Sequence, residues 1–69
     1  MNKLREVRER EGLTLIELDR LSGVSEKTIR YIENGKKPGK RVTKQKIING
    51  LNSNPRNKKK IKYEDIFNE

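Results

Sequence analysis

Apolar residues fall along this chain at spacings of three and four, broken by glycine or by polar clusters, and nowhere do they alternate as in a strand. Leu4 and Val7, with Arg8 beside them, share one face of a helix expected over residues 2–11. Glu6 and Arg10 form an i, i+4 pair on it, and Gly12 stands where a left-handed residue closes a helix. Thr14 and Glu17 then make a capping box, with Leu13 and Leu18 placed as its hydrophobic staple. Leu18 and Leu21 carry the apolar face of this second helix, and Gly23 stops it. Ser25 caps a third helix with Val24 and Ile29 as staple, Ile29 and Ile32 point inward, and Asn34-Gly35 ends it.

Lys36 to Val42 reads as a loop with a turn at Pro38-Gly39. Thr43 is the expected cap of a fourth helix over about residues 44–52, with Ile47, Ile48 and Leu51 as its apolar stripe. Gly50 weakens that helix but permits another helix to approach closely. Asn52 to Lys62 is polar and basic, broken by Pro55 and the asparagines, and reads as a loop. A short fifth helix is expected from Tyr63 to Phe67, with Ile66 and Phe67 docking on the rest.

Residues 14–35 are therefore helix, glycine turn, helix, the unit whose second helix can lie in a DNA major groove. On a helical wheel Glu33 falls on the inward side of the third helix with Ile29 and Ile32, whereas Lys27 and Tyr31 point away, flanked by Arg30 and Asn34.

Composition narrows the function. Sixty-nine residues make one domain, 1–69, and 29 % hydrophobic against 41 % charged residues leaves a small core. Cysteine and histidine are absent, which removes disulfides, thiolate and imidazole chemistry and the usual zinc sites. The basic half holds no clustered acids for a metal, so neither an enzyme nor a cofactor is expected. No apolar run is long enough to span a membrane, and a reducing cytoplasm is the expected setting. The formal charge of +8 is unevenly spread: residues 1–33 balance seven Lys/Arg against seven Asp/Glu, residues 34–63 hold eleven Lys/Arg and no acid, and three acids close the chain. A block of one sign starting at the end of the third helix points to a phosphate-bearing partner.

The stretch LREVREREGLTLIELDRLSGVSEKTIRYIENGKK resembles the Cro/repressor-type, Xre-like helix-turn-helix family, whose members follow L-x-x-x-R-x-x-x-G-L-T-x-x-x-L-x-x-x-S-G-V-S-x-x-x-I-x-x-I-E-N-G. The likeness covers about residues 4–36, and YEDIF is similar to the family's closing helix. It implies an all-α bundle of four or five helices of the lambda-repressor-like type, reading double-stranded DNA with the third helix, about residues 25–34. The implied base-reading residues are Ser25, Glu26, Lys27, Thr28, Arg30 and Tyr31. Those implied at phosphates are Thr14, Leu15, Lys36, Lys37, Lys40 and Arg41, and Arg8 and Glu33 are implied to form a structural ion pair. Three positions depart from the pattern: Asp19 replaces a usual Ala and must find a donor, Leu15 replaces a polar phosphate contact, and the basic loop 52–62 is longer than usual.

Several side chains admit two readings. Lys27 suits guanine O6/N7 or a phosphate, against a solvated helix lysine; Glu26 suits cytosine N4, against an acid favoured by a helix N-terminus. Tyr31 suits a thymine methyl or a phosphate, against a cover for the edge of the core, while Arg30 is placed for the DNA backbone. Lys58, Lys59 and Lys60 are either supplementary phosphate contacts or a solvated loop. The resemblance implies a sequence-specific transcriptional regulator, acting as a repressor in a prokaryotic or phage-type setting, with a homodimer on a palindromic operator as a common arrangement. A DNA-binding antitoxin, and an adaptor that uses the fold to bind protein, are the alternatives.

Overall fold

In the computed structural model, residues 2–36 and 39–67 are described, and these fold as five helices in the order α1 (Leu4–Arg10), α2 (Leu15–Ser22), α3 (Glu26–Glu33), α4 (Arg41–Asn52) and α5 (Tyr63–Ile66). No strand occurs among the described residues.

The first three helices begin and end on local chemistry. The Asn2 carboxamide oxygen accepts the Leu4 N–H at 2.9 Å, so α1 starts at Leu4, later than the expected residue 2. The ion pair on its exposed side joins Arg5 to Glu9 at 3.4 Å; no bond joins Glu6 to Arg10. Both halves of the α2 capping box form: the Glu17 N–H donates to Thr14 Oγ1 at 3.1 Å and the Thr14 N–H donates to Glu17 Oε1 at 2.9 Å. The Thr14 N–H holds the Glu17 carboxyl below its ordinary value of 4.5. A carboxyl with a depressed folded value stabilises the fold above its unfolded value, and loses that contribution as pH falls through the folded one. Glu17→Gln should therefore lower Tm at neutral pH, and the gap from the parent should close as the pH is taken well below 4.5. A gap that stays constant down the acid limb would mean that the box contributes nothing through charge.

The turn between α2 and α3 needs Gly23 at φ 76°, a left-handed conformation that a Cβ disfavours. Asp19 finds its donor here, since its Oδ2 accepts the Glu26 N–H at 3.0 Å. The carboxylate thus ties α2 to the first residue of α3 and faces that helix's positive end.

The core joins Leu4 and Val7 of α1, Leu18 of α2, Ile29 and Ile32 of α3, Ile47, Ile48 and Leu51 of α4, and Ile66 and Phe67 at α5. Its most extensive contact is α2 on α4. Gly50 makes that contact possible, for a Cβ built there would lie 2.6 Å from Ser22 Cβ. Leu15 is half-buried and packs on the core, so the family's phosphate position is used here for packing.

The expected start of the fourth helix needs correction. Helix α4 begins at Arg41, a turn before the expected start; Lys40 occupies the cap position without a side-chain bond, and Thr43 lies inside the helix. The reason is tertiary. The Arg41 guanidinium lies 4.3 Å from the Tyr63 ring centroid and the Lys44 amine 5.3 Å from that of Phe67, so α5 holds the extra turn in place. The loop 52–62, in turn, is pinned by its asparagines. Asn52 donates to the Ile61 carbonyl at 2.9 Å and accepts the Ile61 N–H at 2.7 Å. Buried Asn54 donates to the Glu11 carbonyl at 3.2 Å, Asn57 to the Leu51 carbonyl at 3.3 Å, and the Arg56 guanidinium to the Gly12 carbonyl at 3.2 Å. Ile61 is buried as a result.

Candidate DNA interface

Helix α3 is held from behind and offers its other side. Arg8 Nε donates to Glu33 Oε2 at 2.6 Å, its Nη2 to Oε1 at 3.4 Å, and its Nη1 to the Leu13 carbonyl at 2.8 Å. The two side chains are 11 % and 4 % exposed. A bidentate pair so enclosed fixes the rotation of α3 against α1, which in turn fixes what α3 presents. The Asn2 amide adds a bond to the Ile32 carbonyl at 2.9 Å, at the same C-terminal end of α3.

Outward, Lys27 and Arg30 are exposed, and Glu26, Thr28 and Tyr31 are half-buried. The Lys27 amine lies 5.8 Å from the Tyr31 ring centroid, so cation and ring sit side by side one turn apart. Exposed Ser25 caps the helix: its Oγ accepts the Thr28 N–H at 3.2 Å and donates to Thr28 Oγ1 at 2.9 Å. The Thr28 hydroxyl keeps its proton to donate outward. Because Asp19 takes the Glu26 N–H and Ser25 takes that of Thr28, the start of α3 is largely closed to an incoming phosphate. What this face offers is side-chain donors and one carboxylate acceptor, the groups that read base edges.

The flanking cations divide. Exposed Lys36 follows α3, with its N–H donating to the Tyr31 carbonyl at 3.0 Å, and exposed Lys40 caps α4. Arg41 is the first residue of α4, exposed but stacked over Tyr63. Thr14 starts α2 with its hydroxyl accepting from Glu17, which leaves the hydroxyl proton to donate. Lys37 and the turn at Pro38 lie outside the described residues. Lys58, Lys59 and Lys60 are exposed, and they line a groove together with residues of α1.

The arrangement is one helix presented by another across a glycine turn, locked behind by an Arg–Glu pair. A helix-turn-helix family model matches residues 4–42, more than half of the chain. The chain belongs to the Cro/repressor-type helix-turn-helix family. Membership makes it a DNA-binding helix-turn-helix regulator. The match spans α1 to α3 and the first two residues of α4, leaving the pinned basic loop and α5 outside it. No curated protein and no solved structure matches the chain significantly. Among the described residues no group of acids could hold a metal ion, and no helix is long and apolar enough to cross a membrane.

Sequence reasoning missed four contributors: Asn2, Lys44, Asn54 and Ile61. Lys44 is 8 % exposed, and no charge pattern distinguishes it from the exposed lysines around it. Ile61 follows three lysines and lacks a helical partner, so periodicity passes over it.

Proposed function

We propose that this helix-turn-helix protein is a sequence-specific transcriptional repressor that lays α3 in the major groove of double-stranded DNA. Ser25, Glu26, Lys27, Thr28, Arg30 and Tyr31 face the bases, and Thr14, Lys36, Lys40 and Arg41 hold phosphates on either side. Lys37 joins the phosphate set by its place in the chain. The observation that carries this reading is the face of α3: Lys27, Thr28 and Tyr31 stand outward on a helix whose rotation Arg8 and Glu33 fix from behind. A helix of eight residues is about 12 Å long and spans roughly four base pairs. So short a site recurs too often to be specific, which favours two copies of the chain on a palindromic operator with half-sites one or more DNA turns apart.

Selection of bound sequences from random duplex DNA tests this. The expected result is a symmetric pair of short half-sites, and recovery of sequences without a common motif would overturn sequence-specific reading. Base reading and phosphate holding then separate by mutation. Lys27→Ala should cost about 1–3 kcal/mol on the selected sequence and far less on a scrambled one. Lys36→Ala should weaken both alike and lower the salt slope by about one unit per chain. Equal losses on both sequences for Lys27→Ala would reduce it to a phosphate contact.

A further inference from the structure

The feature of this molecule that DNA reading leaves over is a groove of about 650 Å³ between α1 and the pinned loop. Six cations line it: Lys3, Arg10, Arg56, Lys58, Lys59 and Lys60. Among the described residues no salt bridge joins any of them to an acid, for the ion pairs present are Arg5–Glu9 and Arg8–Glu33. The wall that carries the lysines is anchored on both sides of them, by the Asn52–Ile61 pair, Asn54 on the Glu11 carbonyl, and Arg56 on the Gly12 carbonyl. Six cations against three acids leave an excess of positive charge on a concave surface, which suits an anion.

Its position and its acids identify the kind of anion. Glu6 and Arg10 project from α1 roughly 160° around the helix from Arg8, the residue that grips α3. The groove thus opens on the flank of α1 turned away from the reading helix. Glu6, Glu11 and Asp65 are interspersed among its cations, and one carboxylate oxygen of Glu11 is buried with no hydrogen-bond partner. A DNA backbone brings only acceptors and negative charge past these carboxylates. An acidic polypeptide brings carboxylates for the lysines and N–H donors for the acids.

We propose that the groove between α1 and residues 56–61 docks an extended acidic segment of a partner protein, independently of DNA reading. The wall formed by residues 56–61 lies outside the part of the chain that the family pattern covers, whereas the α1 wall lies within it, and the site couples a DNA-bound regulator to a second protein.

Fluorescence anisotropy with a labelled peptide alternating Glu and Val tests this on the full chain. The controls are the same peptide with Lys for Glu, and a labelled oligothymidine. The Glu peptide should bind saturably and the Lys peptide should not. A surface ion pair contributes up to roughly fivefold in affinity, so Lys58→Gln with Lys60→Gln should weaken the Glu peptide about tenfold. The charge-matched change Arg20→Gln with Lys46→Gln should leave peptide affinity within about twofold, because neither side chain lines the groove. Melting temperatures should match for both double variants, so the losses report binding rather than folding. Duplex affinity and its salt slope should be unchanged in the Lys58/Lys60 variant, which keeps this outcome separate from any failure of α3 to read DNA. Equal peptide losses in the two variants would reduce the site to diffuse attraction, and a larger loss of oligothymidine than of Glu-peptide binding in the Lys58/Lys60 variant would make it a nucleic-acid surface. A salt slope flattened by about two units in the Lys58/Lys60 variant would give the lysines to the DNA backbone. Any of the three overturns the proposal.

Discussion

Arg8→Ala should lower Tm by more than about 12 °C, a far larger effect than its effect on DNA contact. The side chain makes three bonds, two to Glu33 and one to the Leu13 carbonyl, in a space where both partners are nearly closed to water. Truncation leaves the Glu33 carboxylate enclosed without a counter-charge, at a cost of about 3–5 kcal/mol. A domain of this size has roughly 5–15 kcal/mol in total, and each kcal/mol moves Tm by about 4–8 °C. Replacing both partners, Arg8→Met with Glu33→Leu, should recover much of the loss, since no charge is then stranded. Thermal unfolding of the three variants decides the matter. A Tm within a few degrees of the parent for Arg8→Ala would mean that water reaches Glu33 and the pair does not lock α3. The bonds of Arg8 also reach Leu13, just before the α2 cap, so this one residue sets α1 against both limbs of the helix-turn-helix unit.

Gly50→Ala should be the next most damaging change, although helix propensity alone argues the opposite. In a free helix, alanine is better than glycine by roughly 1 kcal/mol. Here the added methyl would meet Ser22 Cβ at 2.6 Å, Ser22 Cα at 2.7 Å and the Ser22 nitrogen at 2.9 Å. Two of those atoms are backbone, so no rotamer change relieves the contact and the helices themselves must separate. Overpacking of this kind costs about 1–3 kcal/mol and outweighs the propensity gain. The effect should extend to function. Ser22 is the last residue of α2, directly before the turn at Gly23, so moving it displaces α2 relative to α3 and with it Thr14 relative to Lys27. Gly50→Ala should thus lower both Tm and duplex affinity, and a rise in Tm would show that the two helices tolerate a wider spacing.

The parts of the fold legible in the sequence are those set within one helical turn. Thr14 with Glu17, Ser25 with Thr28, and Gly12 and Gly23 at positive φ place the end of α1, both ends of α2 and the start of α3 through bonds to residues three or four positions away. Residue type and spacing contain that information completely. The outward face of α3 was legible for the same reason, because a helix wheel separates Lys27 and Tyr31 from Ile29 and Ile32 whatever surrounds it. Even the departure at Asp19 was readable as a demand, since a carboxylate next to a buried contact requires a donor; the Glu26 N–H that meets it is set by the packing of α2 on α3.

What the sequence left open depends on partners far along the chain. Helix α4 gains a turn because Tyr63 and Phe67, more than twenty residues on, stack on Arg41 and Lys44; without them Thr43 is the better cap. The stretch 52–62 has a loop's composition, and it becomes a fixed wall only because Asn54 reaches the Glu11 carbonyl and Asn52 closes on Ile61. That closure takes Lys58, Lys59 and Lys60 to the flank of α1, although in sequence they read as an extension of the basic block that follows α3. By itself, then, the sequence determined a helix-turn-helix unit, its caps, the outward face of α3 and a surplus of positive charge, all of them properties of short-range chemistry and periodicity. Only the tertiary structure decided where that surplus points, because the direction of a charged loop is set by the few long-range hydrogen bonds that anchor its ends.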